Sequence, residues 1–211
     1  MALLLRRISI VLALFSLTAL AQDWRPLFDG QSLKGWTITP FKNHGEVTVK
    51  DATLFIGTGQ GRLTGITWAG GEFPKTNYEI RFEAARLAGG DFFAGITFPV
   101  AESFCSWING GWGGTVVGLS SLDGEDASDN DTSTVYQFES GRWYSFLLQV
   151  TPEHIRGWID GKLIVDADIK GREVSLRPGE IDLNTPLGFA TYATKGAVRK
   201  LEYRTISSTR P

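Results

Sequence analysis

Hydrophobic and polar residues alternate along much of the chain with a period of two, which is the pattern of a β-strand with one face against a core. Residues 78–83 carry an apolar side chain at every second position and a charged one between each pair. Residues 46–50 and 53–56 show shorter runs on either side of a turn, which predicts a hairpin. Residues 92–98 are apolar almost throughout, which predicts a strand that is covered on both faces.

The second half of the chain repeats this pattern. Two strands are predicted at Trp143–Val150 and His154–Ile159, and a third at residues 162–166. Asp160 and Gly161 separate the last two. Both residue types tolerate a positive φ, so this dipeptide predicts a two-residue hairpin turn.

Residues 186–193 and 197–206 are predicted to close the chain as a last hairpin, with its turn at Lys195 and Gly196. No segment after the N-terminus has helical periodicity, and about ten strands are predicted. The 25 Gly residues suit many short strands joined by tight turns. The fold class predicted is all-β, an antiparallel sandwich of the jelly-roll type.

The N-terminus has the pattern of a secretory signal peptide. Arg6 and Arg7 precede an apolar run at residues 8–20, which is too short to span a bilayer. Small residues at the end of the run predict cleavage after Ala21, although a membrane anchor or a buried helix is an alternative interpretation. Cleavage would leave residues 22–211 as a single domain, exported to the periplasm or secreted.

Charge and motif content exclude several classes of function. The formal net charge is −2, and Lys and Arg are not clustered, so no nucleic-acid partner is predicted. Two His residues cannot form a three-His zinc site, and neither a Gly-X-Ser-X-Gly motif nor a phosphate-binding loop occurs. The single cysteine, Cys105, lies in an apolar stretch and is interpreted as a core residue.

Several motifs resemble one known family. Residues 24–36, WRPLFDGQSLKGW, resemble the opening signature of the 3-keto-disaccharide hydrolase domain family. The strand, Gly-rich turn and strand at 78–96 resemble the next landmark of that family. Residues 143–144, 158–161 and 186–189 fit later landmarks in order, so the resemblance covers nearly the whole chain after the signal.

The resemblance implies a concanavalin-like jelly roll of two antiparallel sheets and an activity on glycosides whose sugar carries a 3-keto group. A ketone at C3 acidifies the proton on C2, so the glycosidic oxygen can be eliminated by a base with electrostatic support for an enolate. Many members of the family carry a Gly-X-Glu-X-Gln strand. Residues 114–118 here read GTVVG, so Val116 stands where the acid would be.

The Gly-rich run at residues 110–114 is a candidate binding site. Glycines let a backbone approach a ligand closely, and Trp112 could stack against a sugar ring. A β-bulge or strand crossing that needs positive φ is the alternative interpretation. Trp107, Asn109 and Ser120 in the neighbouring stretch are further candidate substrate contacts.

An acidic loop follows, with five carboxylates in residues 123–131. Asp126, Asp129 and Asp131 are candidate calcium ligands, because calcium prefers several oxygen ligands. The alternative is a solvated acidic loop with local turns. No other cofactor is predicted.

Three carboxylates are candidate catalytic residues. Asp123 or Asp126 could lie at the rim of a pocket and replace the acid that is missing at position 116. Asp91 follows a Gly-Gly turn and precedes a predicted buried strand, which is a common place for a pocket carboxylate.

Three functions are consistent with these observations. The first is a hydrolase or lyase that acts on 3-keto-glycosides. The second is a carbohydrate-binding module without chemistry, and the third is a structural or adhesion domain of the cell envelope. The expected ligand in the first two is a sugar or glycoside, and no membrane span is expected after cleavage of the signal. A fold of this kind hosts all three functions, so the site must decide.

Overall fold

In the computed structural model, which describes residues 23–207, the period-two segments form antiparallel strands. The predicted signal peptide lies outside the described residues. The strands, in chain order, are β1 (Arg25–Pro26), β2 (Trp36–Ile38), β3 (Val47–Lys50), β4 (Thr53–Ile56), β5 (Leu63–Trp68), β6 (Tyr78–Gly89), β7 (Gly95–Val100), β8 (Ser103–Gly111), β9 (Val116–Ser120), β10 (Thr134–Val135), β11 (Trp143–Val150), β12 (His154–Ile159), β13 (Lys162–Asp168), β14 (Gly188–Tyr192) and β15 (Thr194–Thr205).

These strands form two sheets. The eight-stranded sheet has the order β13-β12-β11-β6-β15-β4-β3, and β1 pairs with β15. The seven-stranded sheet has the order β10-β9-β8-β7-β14-β5-β2. One short 3-10 helix, Glu180–Asn184, precedes β14. The predicted all-β sandwich of the jelly-roll type is therefore confirmed.

The core lies between the two sheets and is rich in aromatic rings. Phe82 and Phe146, on neighbouring strands of the eight-stranded sheet, stack with their ring centroids 4.9 Å apart. Phe189 reaches across from the seven-stranded sheet and meets Phe82 edge-on at 4.9 Å. Such offset and edge-on pairs add about 0.5–1.5 kcal/mol each beyond the burial of apolar area. The core rings thus fix how the two sheets face each other.

Several sequence predictions are confirmed in detail. The bounds of β11 and β12 are those predicted, and Asp160 and Gly161 both have positive φ in the turn that follows. The predicted hairpin at residues 46–56 is formed by β3 and β4. The strand predicted at residues 92–98 begins later, at Gly95, because the chain still bends through Phe92 to enter the other sheet.

The predicted closing hairpin is wrong. The strand β14 lies in the seven-stranded sheet between β5 and β7, whereas β15 lies in the eight-stranded sheet between β6 and β4. The chain crosses from one sheet to the other at Ala193, which has a φ of 46°. Both segments alternate like hairpin strands, but each finds its hydrogen-bond partners elsewhere in the fold.

The outer face of the seven-stranded sheet, which is the face directed away from the core, is partly covered. A Cβ at Gly118 would lie 2.7 Å from the carbonyl oxygen of Ala127, and one at Gly188 would lie 2.3 Å from the side chain of Asn184. The covering segments therefore lie so close to the sheet that only glycine fits at these two positions. They leave an open cleft between them.

Within residues 23–207, no helix is both long enough and apolar enough to span a bilayer.

Candidate functional site

The cleft on the outer face of the seven-stranded sheet has a volume of about 430 Å³. Its floor is formed by β8 and β9, and its walls come from the turn after β8, the acidic loop, the segment around the 3-10 helix and the start of β5. The residues that line it are Leu63, Asp91, Phe92, Ser106, Ile108, Trp112, Ser120, Asp126, Arg177, Pro178, Gly179, Glu180, Ile181 and Tyr192.

The alternation of side chains along the strands decides which residues reach the cleft. Ser106 on β8 pairs with Ser120 on β9, and both serines line the floor. The Ser106 hydroxyl is also 2.8 Å from that of Thr97 on β7. Since successive residues point to opposite faces, the residue after Ser106 must point into the core.

This parity corrects two predicted substrate contacts. Trp107 and Asn109 are fully buried between the sheets, where no sugar can reach them. The Asn109 amide donates a hydrogen bond to the Ala94 carbonyl at 2.9 Å, and the Trp107 ring packs against Gly157 on the opposite sheet. Of the four predicted substrate contacts, Trp112 and Ser120 line the cleft.

Asp126 is held firmly at the cleft wall. One carboxylate oxygen accepts hydrogen bonds from the Ser120 hydroxyl at 2.5 Å and from the backbone N–H of Ala127 at 2.8 Å. The other oxygen lies 2.7 Å from the Arg177 guanidinium. The Asp126 side chain is 17% exposed and that of Arg177 is 62% exposed, so the pair lies at the mouth of the cleft. Both oxygens of this carboxylate are occupied.

Trp112 stands at the tip of the Gly-rich turn after β8. It adopts a φ of 47°, its side chain is 40% exposed, and the Arg177 guanidinium lies 5.8 Å from its ring centroid. Gly110, Gly113 and Gly114 also have positive φ, and the register shifts at the end of β8. The turn therefore contains the bulge and the positive φ values of the alternative interpretation. It also presents the Trp112 ring to the cleft.

Asp91 lines the cleft beside this turn. Its Oδ1 accepts a hydrogen bond from the backbone N–H of Phe92 at 2.8 Å, and its own N–H donates to the Thr194 hydroxyl at 2.9 Å. In the part of the chain that the structure describes, no donor lies within hydrogen-bond distance of its second carboxylate oxygen. Asp91 is thus a positioned carboxylate in the cleft lining, and its second oxygen has no hydrogen-bond donor among the described residues.

Asp123 is corrected as a candidate for the cleft. Its carboxylate accepts hydrogen bonds from the Arg172 side chain at 2.7 Å and from the backbone N–H of Glu173 at 2.9 Å, and it does not line the cleft. These bonds, chiefly the one from Arg172, lower the pKa of Asp123. The exposed carboxylate therefore ties the acidic loop to the strand-like segment near residue 173.

The predicted calcium ligands do not converge. Asp126 faces Arg177, Asp131 pairs with Arg172 at 2.9 Å, and Asp129 accepts a bond from Ser128. Among residues 23–207, no group of three or more His, Cys, Asp or Glu side chains is arranged to hold a metal ion. Two of the three carboxylates, Asp126 and Asp131, are instead paired with the arginine side chains Arg177 and Arg172.

Asn130 organises the acidic loop instead. It is buried, and its amide nitrogen donates to the carbonyl oxygens of Leu119, Glu125 and Asp126 at 2.7–3.1 Å. Its amide oxygen accepts from the backbone and hydroxyl of Thr132. A neutral side chain therefore satisfies the loop backbone, and this arrangement places Asp126 against the sheet.

Cys105 is confirmed as a core residue. It is fully buried, and burial raises the pKa of its thiol to about 12. A thiol in this state is a poor nucleophile.

The family model of the 3-keto-alpha-glucoside-1,2-lyase-like domain matches residues 23–206. The chain belongs to this family. No curated protein matches the sequence.

Solved structures of similar fold have low sequence identity to this 3-keto-alpha-glucoside-1,2-lyase-like domain. A proposed glycosyl hydrolase from Parabacteroides distasonis has a TM-score of 0.56 and 12% identity, over 87% of this chain and 94% of that one. The Crh5 transglycosylase in complex with NAG has a TM-score of 0.58 and 14% identity, over 85% and 82%. The carbohydrate-binding module CBM66 from Bacillus subtilis has a TM-score of 0.52 and 10% identity, over 81% and 96%. These likenesses establish the shared fold.

Val116 of the lyase-like domain is not among the residues that line the cleft, although it pairs with Gly111, which precedes Trp112. Val116 begins β9 and pairs with Val135 on β10. Ser120 lies four residues further along the same strand, which corresponds to about 13 Å. Asp126, held by Ser120, therefore does not occupy the place that an acid at position 116 would have.

Several cleft residues of the lyase-like domain are not predicted by the sequence. Arg177, Glu180 and Tyr192 lie in segments with no distinctive motif, and they meet the Gly-rich turn only through the sheet order. Phe92 was predicted within a buried strand, but it lies on the bend before β7. Arg177, for example, is an exposed arginine before Pro178 and Gly179, and nothing in this local sequence indicates a binding role.

Proposed function

We propose that this protein is an exported carbohydrate-active enzyme that binds a glycoside in the cleft and cleaves it when the sugar carries a 3-keto group. The observation that carries the proposal is Asp91, a carboxylate that lines the cleft beside the Trp112 ring and has one oxygen without a hydrogen-bond donor among the described residues. Membership of the 3-keto-alpha-glucoside-1,2-lyase-like family supports the reaction class. A sugar ligand is supported by the related fold of the Crh5 transglycosylase, whose structure contains NAG.

The reaction is an elimination. A base removes the proton on C2, and the electron pair of that C–H bond forms an enolate with the C3 ketone. The enolate then expels the glycosidic oxygen from C1, which leaves a C1=C2 double bond on the keto-sugar. The leaving oxygen takes up a proton and departs as an alcohol. The protein must supply a base close to C2 and a positive group close to the enolate.

Asp91 is the proposed base, because its second oxygen is free to accept a proton while the first is oriented by the Phe92 N–H. Asp126 is less suited to this role, since its two oxygens already accept bonds from Ser120, Ala127 and Arg177. Its proposed role is to position Arg177. The guanidinium would then stabilise the negative charge that develops on the enolate oxygen.

A second candidate function is sugar binding without cleavage. It is favoured by Val116, which places an apolar side chain where the family carries an acid, and by the complete pairing of Asp126. Trp112 would then act only as a stacking platform. A structural domain without a ligand would need no cleft of this kind, so the first two functions are preferred.

The test is a release assay on purified protein that lacks residues 1–21. The protein is incubated with 3-keto-glucosides and with their unoxidised parents, and the released aglycone is measured. Release from the keto forms alone is expected. Asp91→Asn should lower the rate by about 10²–10⁴-fold, the range for loss of a general base. Asp129→Asn, in an exposed carboxylate outside the cleft, is the matched control and should keep the rate.

Calorimetry separates the two candidate functions. If no aglycone is released, but the parent glycoside still binds and binds more weakly to Trp112→Ala, the protein is a binding module and not an enzyme. Release that is unchanged in Asp91→Asn would assign the base to another residue. Export is tested by N-terminal sequencing of protein recovered outside the cytoplasm, where a chain that begins at Gln22 is expected.

A further inference from the structure

The cleft is longer than the part that holds Asp126, Arg177 and Trp112. Ser120 on β9 lines one end and Leu63 on β5 lines the other, and the strands between them in the sheet are β8, β7 and β14. Four strand spacings separate these ends, which corresponds to about 19 Å. A single sugar ring cannot fill this length, so the cleft has room for a leaving group as well.

The end of the cleft at β14 and β5 is aromatic. Phe92 and Tyr192 stack with their ring centroids 5.8 Å apart and an interplanar angle of 26°. Leu63 pairs with Tyr192 across the strands and completes an apolar wall. The other end of the cleft carries the Asp126–Arg177 ion pair, so the two ends differ in chemistry.

The aromatic wall is held in place before any ligand binds. The Tyr192 N–H donates a hydrogen bond to the Phe92 carbonyl at 3.0 Å, which ties the two backbones together. The Phe92 ring lies directly on Gly95 of β7, where an added Cβ would be 2.9 Å from the ring. A ring that is already fixed loses little conformational entropy when it packs against a ligand.

The wall offers few hydrogen-bonding groups. Phe92 and Leu63 have none in their side chains, and the Tyr192 hydroxyl already lies 3.4 Å from the Arg62 guanidinium. A second sugar would place several hydroxyl groups against this surface, and burying them without partners would cost free energy. An aromatic ring has no such groups and would gain aromatic contact with the sides of Phe92 and Tyr192 that line the cleft.

We infer that Phe92, Tyr192 and Leu63 form an aglycone subsite that selects glycosides with an aromatic leaving group. The inference rests on the proposed function for the position of the keto-sugar, whose C2 must lie within reach of Asp91, the residue before Phe92. The substrates of the site are therefore aryl glycosides, and Phe92 and Tyr192 determine this specificity.

The experiment compares three 3-keto-glucosides, with a 4-nitrophenyl, a methyl and a glucosyl leaving group. Each is assayed with the wild type, Tyr192→Ala and Phe92→Ala, so that differences in leaving-group reactivity cancel within each substrate. In both variants kcat/KM for the aryl substrate should fall about tenfold, the factor that corresponds to about 1.4 kcal/mol. It should change less than about twofold for the methyl substrate. Tyr203→Ala, at a half-buried tyrosine on the other sheet, is the matched control.

An equal loss for all three substrates, or a larger loss for the glucosyl substrate, would overturn the aryl subsite. If none of the three substrates is cleaved, the proposed reaction is wrong. The subsite is then tested separately, by calorimetry with the unoxidised aryl and methyl glucosides. Tighter binding of the aryl glucoside that is lost in Tyr192→Ala would support it, and equal binding of the two would overturn it. Phe92→Ala serves in both assays if Tyr192→Ala does not fold.

Discussion

Removal of the Asp126 carboxylate should destabilise the protein, because this group holds the acidic loop against the outer face of the sheet. The same oxygen, Oδ1, accepts the bonds from the Ser120 hydroxyl and the Ala127 N–H, whereas Oδ2 faces Arg177. Ser120 is only 2% exposed and Ala127 is fully buried, so both donors are shielded from water while the carboxylate is in place.

The magnitude follows from these contacts. A hydrogen bond to a charged acceptor contributes about 1.5–3 kcal/mol, so two at the lower limit give about 3 kcal/mol. The ion pair adds at most about 0.5 kcal/mol, because Arg177 is largely exposed and water screens the pair. Asp126→Ala should therefore lower the free energy of unfolding by about 3 kcal/mol. Asp126→Asn keeps an oxygen in the place of Oδ1 and should cost less than about 1 kcal/mol.

Urea titration followed by tryptophan fluorescence at pH 7 measures this difference. With a urea dependence of about 2 kcal/mol per M, Asp126→Ala should move the midpoint down by about 1.5 M. Asp129→Ala in the same loop is the control and should change the free energy by less than about 0.5 kcal/mol. The reasoning is refuted if Asp126→Ala is as mild as Asp129→Ala. If Asp126→Asn is as costly as Asp126→Ala, the charge and not the bonds to Oδ1 holds the loop.

Three further predictions concern separate groups. Trp112→Ala should weaken glycoside binding in calorimetry by about fivefold, the loss of about 1 kcal/mol of stacking, and an unchanged affinity in the folded variant would remove Trp112 from the site. Cys105 should not react with a thiol reagent at pH 8 until urea unfolds the protein, because burial raises its pKa to about 12; rapid labelling of the folded protein would contradict this burial. Arg172 lowers the pKa of Asp123 in the folded protein. The ion pair therefore contributes its full stabilisation above the pKa of Asp in the unfolded chain, about 3.9, and this stabilisation is lost as the pH falls through the lower pKa of the folded state. The difference in unfolding free energy between the wild type and Arg172→Gln should thus be constant above about pH 5 and shrink below about pH 4; a difference that persists unchanged to pH 2 would exclude this coupling.

The sequence by itself determined the local elements and the family. The hairpin of β11 and β12 has a period-two pattern on both sides, and the turn that follows β12 is marked by Asp160 and Gly161. These signals act between residues that are close in the chain, where alternation and turn chemistry are sufficient. The opening motif at residues 24–36 likewise identified the family, because it can be recognised without any contact.

Tertiary structure alone decided which sheet a strand joins. Residues 186–206 read as a hairpin, yet β14 and β15 lie in different sheets. Each strand pairs with partners that are distant in the chain, such as β5 for the one and β6 for the other. An alternating pattern shows that one face is buried, but it does not say which sheet provides the neighbours.

Tertiary structure also decided which chemically similar residues belong to the site. Asp123 and Asp126 are three positions apart in one acidic loop, but Arg172 holds the first outside the cleft and Ser120 holds the second at its wall. Trp107 and Trp112 have the same side chain, and only the second escapes the core, because strand parity directs the first inward and a positive-φ turn exposes the other. Residue type sets what a side chain can do chemically, and packing of distant segments sets whether it can meet a ligand.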